Sequence, residues 1–161
     1  MKTVLSVAAT ESEICVKITG TGSMRESVFL KDLILRHLES SPDSKAWVDL
    51  TECTYLDSTL LGCLIGISRE AGSRFGLIVP PNVVEKIFVP TGLDRLLPIS
   101  QISPPFVNQF TEIQLPEIRT SDLKSHLYEC HARLAEVSGP LQPVFAKIAD
   151  RMKKEMTEKS S

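Results

Sequence analysis

The hydrophobic positions of this 161-residue chain follow two different spacings. Near the start, "TVLSVAA" and "EICVKITG" are short runs that favour β-structure, and the polar "TESE" separates them. In the second run Ile14, Val16 and Ile18 recur at every other position, which is typical of a strand with one buried face. The two runs therefore predict a β-hairpin.

Beyond the hairpin, strands and helices alternate along the chain. Residues 24–38 carry apolar side chains at mostly helical spacing. "AWVDLTEC" predicts a strand, followed by a turn at residues 55–57 and a helix over about residues 59–71. "RFGLIVP" predicts a strand, "NVVEKIFVPTG" a short helix capped by Asn82, and "RLLPIS" a last strand. The order β-β-α-β-α-β-α-β predicts an α/β fold with a mostly parallel or mixed sheet of about four to five strands.

The pattern changes after Ile102. We predict an α/β domain over residues 1–102, a proline-marked linker over residues 103–119 and a C-terminal helical extension over residues 120–161. Thr120 or Ser121 can cap the first helix of the extension. Its apolar stripe must be covered, either by the domain or by a second copy of the chain, and consists of Leu123, Leu127, Cys130, Leu134 and Val137.

One stretch, "YLDSTLLGCLIGI", combines polar and apolar residues in an unusual order. Ser58 stands where a strand ends and a helix begins, so it is a natural N-cap. The following helix is apolar on nearly all sides and is predicted to be buried. Gly62 and Gly66, one turn apart, would let it approach the sheet closely. Its body then cannot meet a partner, whereas its N-terminus can.

That position gives the Ser58 hydroxyl two interpretations. A phosphate there would meet free backbone N–H groups and the positive end of the helix dipole. It would add about −1.5 to −2 charges to the local surface without unfolding the domain, which is what a binding switch requires. Alternatively, Ser58 is only a cap.

Composition narrows the classes of partner and compartment. The formal net charge is −2, so the chain has no basic excess to bind nucleic acid or an anionic membrane. No apolar run is long enough to span a bilayer. The cysteines form no CxxC pair and three of them lie in apolar stretches, which predicts small buried thiols in a reducing cytoplasm. They are Cys15, Cys53, Cys63 and Cys130.

Other chemistry has little support in the sequence. His126 and Cys130 share one helical face and His131 is adjacent, but no fourth ligand is evident, so no metal site is predicted. The chain has no GxSxG elbow, and none of its three histidines is placed by sequence near Ser58. "GTGSM" lacks the lysine of a P-loop. We predict no catalytic residues, no cofactor and no enzymatic activity.

Residues 48–67, "VDLTECTYLDSTLLGCLIGI", resemble the signature of the STAS domain, the fold of bacterial anti-sigma factor antagonists. In that family a hydrophobic strand leads into an Asp-Ser-Ser/Thr-Gly-Leu-Gly type segment that opens a helix. The element order agrees, and "PTGLDRLLPI" resembles the family's stretch after its third helix. The resemblance covers roughly residues 1–102. It departs from the family at Leu60, where glycine is usual, and at "GTGSM", which replaces a Gly-Glu-Leu-Asp type segment.

The resemblance implies a function and a set of site residues. Ser58 matches the serine phosphorylated by a partner kinase, with Thr59 the lesser candidate, and Asp57 matches the acidic residue before it. Such proteins bind an anti-sigma factor that is also the serine kinase, and so free a sigma factor; phosphorylation blocks binding and a serine phosphatase restores it. The implied partner-binding residues are Asp57, Ser58, Thr59 and Leu60. The alternative is a STAS-like interaction module or scaffold in a bacterial signalling complex that does not switch. The extension could also form a homodimer.

Overall fold

The computed structural model describes residues 3–100, 104, 109–137 and 141–158. Its strands form a seven-stranded sheet with the order β6-β5-β3-β2-β1-β7, and β4 pairs with β2 outside this path. The strands are β1 (Val4–Ala9), β2 (Glu13–Gly22), β3 (Lys45–Asp49), β4 (Cys53–Leu56), β5 (Phe75–Ile78), β6 (Ile99–Ser100) and β7 (Thr111–Ile113).

The sheet is mixed, as predicted. β1 pairs antiparallel with both β2 and β7, whereas the pairs β2–β3, β3–β5 and β5–β6 are parallel. The predicted hairpin is β1–β2, with Val7 opposite Val16. The alternating residues Ile14, Val16 and Ile18 lie in the core, each at most 5% exposed, which confirms the buried face inferred from their spacing.

The helices and the helical turns between them follow the same chain order. They are α1 (Met24–Ser40), α2 (Ser58–Ala71), the consecutive α3 (Pro81–Val83), π-turn (Val84–Phe88) and α4 (Val89–Thr91), then α5 (Thr120–Ala135) and α6 (Gln142–Glu158). Helix α1 packs against β2 and β3 and α2 against β5, while α1 and α2 also pack on each other. Helix α5 packs on α2, and α6 packs on α5. The C-terminal extension is therefore a further layer over the helices of the α/β domain.

Several predicted details were wrong. The sheet has more strands than expected because the predicted strand "AWVDLTEC" ends at Asp49 and residues 50–52 turn. The turn predicted at residues 55–57 overlaps a further strand, β4, which pairs with the far end of β2. Gly20, with φ of 88°, lies where the β2–β4 register shifts. A further strand, β7, lies in the segment predicted as a linker. The caps also differ, since Pro80 precedes α3 and Arg119 precedes α5.

The C-terminal part of the apolar stripe of α5 is covered within the chain, while Leu123 and Leu127 are partly exposed. Cys130, Leu134 and Val137 are each at most 4% exposed and belong to the same core cluster as the residues of the sheet and α2. Of the two predicted ways to cover this stripe, packing on the domain is the one observed. Among the helices in the described part of the chain, none combines the length and apolar character needed to cross a membrane.

Candidate functional site

Helix α2 begins at Ser58, directly after β4, and its N-cap is Asp57. One Asp57 carboxylate oxygen accepts a hydrogen bond from the Leu60 backbone N–H at 2.9 Å. The prediction that Ser58 is the N-cap was therefore wrong by one residue. Asp is as good a cap as Ser and adds a negative charge at the positive end of the helix. The Ser58 hydroxyl is thus not needed to begin the helix.

Asp57 also connects two helix N-termini. Its second oxygen accepts from the backbone N–H of Met24, the first residue of α1, at 3.1 Å, and its own N–H donates to the Gly22 carbonyl at 2.9 Å. The carboxylate therefore satisfies one exposed N–H in each of two helices. This role explains an acidic residue here without reference to any partner.

The Ser58 hydroxyl contacts the C-terminal extension. Its Oγ lies 2.8 Å from Nε2 of His131 on α5, and Nδ1 of the same ring lies 2.8 Å from the Leu127 carbonyl. A carbonyl can only accept, so Nδ1 carries a proton, and in the neutral form of the ring Nε2 then accepts from the serine hydroxyl. No histidine was placed near Ser58 by sequence, but His131 lies beside it in the fold. Folding brings together residues 73 positions apart.

A second polar contact lies deeper in the same interface. Oγ of Ser27 on α1 donates to the Met24 carbonyl at 2.7 Å and lies 2.7 Å from Nε2 of His126. Because the hydroxyl has one hydrogen and Met24 takes it, His126 must donate to Ser27. Nε2 also lies 3.5 Å from the Cys130 sulfur. These groups form a buried polar cluster among α1, α2 and α5.

Two thiols meet beside this cluster. Cys63 on α2 lies 3.2 Å from the Ser27 carbonyl, and both Cys63 and Cys130 are 0% exposed. Hydrogen bonding to Cys130 and burial raise the pKa of Cys63 well above its ordinary value. The Cys63 contact, helped by His126, lowers the pKa of Cys130, although burial acts to raise it. The interface is therefore built from paired polar groups as well as apolar side chains.

Gly62 and Gly66 face α5, not the sheet as predicted. A Cβ added at Gly62 would lie 2.1 Å from the Cys130 carbonyl oxygen, and one at Gly66 would lie 2.7 Å from the guanidinium carbon of Arg133. Helices approach this closely only where the side chain is missing. Because it packs against α5 here, the body of α2 is covered within the chain, which confirms the prediction that this helix is buried.

The predicted site residues divide into two pairs. Asp57 and Ser58 are partly exposed, whereas Thr59 is 4% and Leu60 is 0% exposed. The Leu60 side chain turns inward towards Gly22, where an added Cβ would lie 2.4 Å from Leu60 Cδ2. A glycine on β2 thus makes room for the leucine that departs from the family pattern. Within the described ranges, no group of three or more His, Cys, Asp or Glu side chains is arranged to hold a metal ion.

Removing the Ser27 hydroxyl should destabilise the α1–α5 contact. In Ser27→Ala the buried N–H of His126 loses its 2.7 Å partner, and an unsatisfied buried polar group costs about 1–3 kcal/mol. Urea unfolding measures the loss. The control is Ser40→Ala on the same helix, where an exposed hydroxyl donates to the His37 carbonyl. Its removal should change stability by less than about 0.5 kcal/mol. Equal losses in the two variants would contradict the assignment.

The chain belongs to the STAS domain family: the family model described as "Mlab, STAS domain" matches residues 5–98. This confirms the family inferred from residues 48–67 and the α/β fold. Among solved structures, the chain is similar to the anti-sigma factor antagonist SpoIIAA in its unphosphorylated form, with a TM-score of 0.49 and 17% identity over 60% of this chain and 87% of that one. None of the curated proteins matches the chain.

Proposed function

We propose that this protein is a cytoplasmic anti-sigma factor antagonist of bacterial type, a regulatory binding protein rather than an enzyme. In the unphosphorylated form it binds an anti-sigma factor that is also a serine kinase, and so frees a sigma factor. Phosphate on Ser58 ends this binding, and a serine phosphatase restores it. Membership of the STAS family supports the class of protein, since residues 5–98 match the family model.

The position of Ser58 is the observation that supports a phosphorylation switch. It is the first residue of α2 and lies partly exposed beside its cap, Asp57, which holds the helix start without help from the serine hydroxyl. A phosphate on Ser58 would therefore leave the cap in place. It would also put about −1.5 to −2 charges beside the Asp57 carboxylate. A modification at this position changes the surface and keeps the domain folded.

The contact with α5 supports a second candidate, a STAS-like interaction module that does not switch. The Ser58 hydroxyl is bonded to His131, and α5 packs on α2, so in this conformation the hydroxyl is engaged by the extension. In this alternative Ser58 helps to hold the extension on the domain. The two candidates differ in whether Ser58 ever carries a phosphate.

Mass spectrometry of the protein isolated from its own cells decides between them. The switch predicts a phosphopeptide that contains Ser58. With the cognate anti-sigma factor, Ser58→Ala should bind and resist inactivation by ATP, and Ser58→Asp should lose at least about tenfold in affinity, or 1.4 kcal/mol. Thr59→Ala is the control for the neighbouring hydroxyl. Absence of phosphate, together with equal binding by the alanine and aspartate variants, would favour the module that does not switch.

A further inference from the structure

Two of the four cysteines of the chain meet in its interior, and the proposed function uses neither of them. Cys63 of α2 and Cys130 of α5 are each 0% exposed, and their thiols are hydrogen-bonded to each other. Cys63 belongs to the α/β domain and Cys130 to the C-terminal extension. The contact between the two parts of the chain therefore contains a pair of nucleophilic groups with no assigned role.

The backbones of α2 and α5 hold the two thiols together. A Cβ added at Gly62 would lie 2.7 Å from the Cys130 Cα, so Cys130 lies directly against the residue that precedes Cys63. A disulfide requires Cα atoms within about 7 Å of each other. The Cys63 thiol reaches both the Ser27 carbonyl, 3.2 Å away, and the Cys130 sulfur. A bond between the two sulfur atoms therefore needs rotation of side chains rather than movement of either helix.

The surroundings of Cys130 favour its thiolate, which is the form that reacts with oxidants. The hydrogen bond from Cys63 lowers the pKa of the Cys130 thiol despite its burial, and His126 and Arg133 act in the same direction. Nε2 of His126 lies 3.5 Å from the Cys130 sulfur. Among the described residues, Arg133 has a buried Nη1 without a hydrogen-bond partner. The same contact raises the pKa of Cys63, so Cys130 is the nucleophile and Cys63 keeps its proton.

We propose that Cys63 and Cys130 form a modification site, a pair of thiols that hydrogen peroxide oxidises to a reversible disulfide between α2 and α5. The disulfide fastens the C-terminal extension to the domain. The proposal goes beyond the proposed function and requires neither a kinase nor a partner protein. It is compatible with a reducing cytoplasm, where disulfides are usually transient and often sense oxidants.

The oxidation takes two steps. The Cys130 thiolate attacks one oxygen of hydrogen peroxide, the O–O bond breaks, hydroxide leaves, and Cys130 becomes a sulfenic acid. The Cys63 sulfur then attacks the sulfenic sulfur, the S–S bond forms, the S–O bond breaks, and the hydroxide leaves as water with the Cys63 proton. Counting the proton that Cys130 has already lost, the two thiols give up two protons and two electrons, and one peroxide becomes two molecules of water. Because peroxide is nearly as small as water, local fluctuations of the fold are sufficient to admit it.

Mass spectrometry of the full chain tests the pair directly. The reduced protein is treated with hydrogen peroxide, the remaining thiols are blocked under denaturing conditions, and the tryptic peptides are compared. We expect a cross-link between residues 46–69 and residues 125–133 that is lighter than the two peptides by two hydrogen atoms and is lost with dithiothreitol. Residues 46–69 also contain Cys53. The same cross-link should therefore form in Cys53→Ala and be absent from Cys63→Ala.

Cys15 is the control for burial. It is 0% exposed in β2, and burial, together with the charge of Asp49, raises the pKa of its thiol to about 12. It should stay reduced while the pair is oxidised. Oxidation of Cys130 without a cross-link to Cys63, no oxidation of either, or cross-links that include Cys15 equally often would overturn the proposal.

The disulfide should also stabilise the fold, because it closes a long loop and so restricts the unfolded chain. The cross-linked protein should unfold at a temperature about 5–15 °C higher than the reduced protein. This shift should disappear after treatment with dithiothreitol, and peroxide should not produce it in Cys63→Ala. An unchanged or lower unfolding temperature after complete cross-linking would show that the bond strains the contact between α2 and α5, and would overturn its role in fastening the extension.

Discussion

Replacing Leu60 by alanine should lower the free energy of unfolding by about 2–5 kcal/mol, the range for a large side chain truncated in a core. Leu60 is 0% exposed and packs into the space left by Gly22. This loss would identify the leucine as core structure, although the family pattern has glycine there. Urea or thermal unfolding measures the effect.

A double-mutant cycle with Gly22 tests the contact itself. Gly22→Ala alone should cost about 1–3 kcal/mol through overpacking, because its Cβ would lie 2.4 Å from Leu60 Cδ2. In the Leu60→Ala background the space is vacated. The double variant should therefore lose less free energy of unfolding than the sum of the two single losses, by about 0.5–3 kcal/mol. Leu77→Ala, a buried truncation on β5, should instead be additive with Gly22→Ala. Equal additivity in both pairs would refute the packing described for Leu60.

Replacing Asp57 by alanine should cost about 2–3 kcal/mol. The change removes the cap of α2, worth about 0.5–2 kcal/mol, and also the acceptor for the Met24 N–H at the start of α1. Asp57→Asn is the matched control, since asparagine caps about as well as aspartate but offers one oxygen for two donors. It should lose about 1 kcal/mol, the net value of one hydrogen bond.

The same two variants distinguish a structural role of the Asp57 carboxylate from a role in binding a partner. If Asp57→Asn is folded and still binds the proposed anti-sigma factor partner, the carboxylate acts by holding the starts of α1 and α2. A loss of binding without a loss of stability would instead assign the charge to the partner interface. Stability unchanged in Asp57→Ala would contradict the bridging role described here.

The alternation of polar and apolar residues was sufficient to predict most of the domain. The period of two in β2 and the helical spacing in α1 are local properties of the chain, and the burial of α2 followed from its apolar character on nearly all sides. The motif around Ser58 was sufficient to infer the STAS family. Errors in the local elements were limited: the cap of α2 was one residue away, β4 was predicted mainly as a turn, and β7 was predicted as part of a linker.

The contacts that define the site could not be predicted in this way. The apolar stripe on α5 predicted that this face of the helix is covered. It did not predict which surface covers it. His126, Cys130 and His131 were noticed as a group of metal-ligand types, while their partners Ser27, Cys63 and Ser58 lie far away in sequence. No local pattern links residues 58 and 131. The glycines of α2 indicated a close approach, although the sheet and α5 were equally compatible with them.

The sequence by itself determined most of the elements and the family, and it predicts Ser58 as the residue at which a phosphate would act. Only the tertiary structure decided that Leu60 points into the core, that Asp57 caps α2, and that α5 covers Ser58. The physical reason is that periodicity and capping depend on neighbours within a few residues, whereas the choice of a packing partner depends on complementary shape between distant segments. At Gly62 that complementarity is a backbone contact, and a backbone contact leaves no trace in the identity of residue 130.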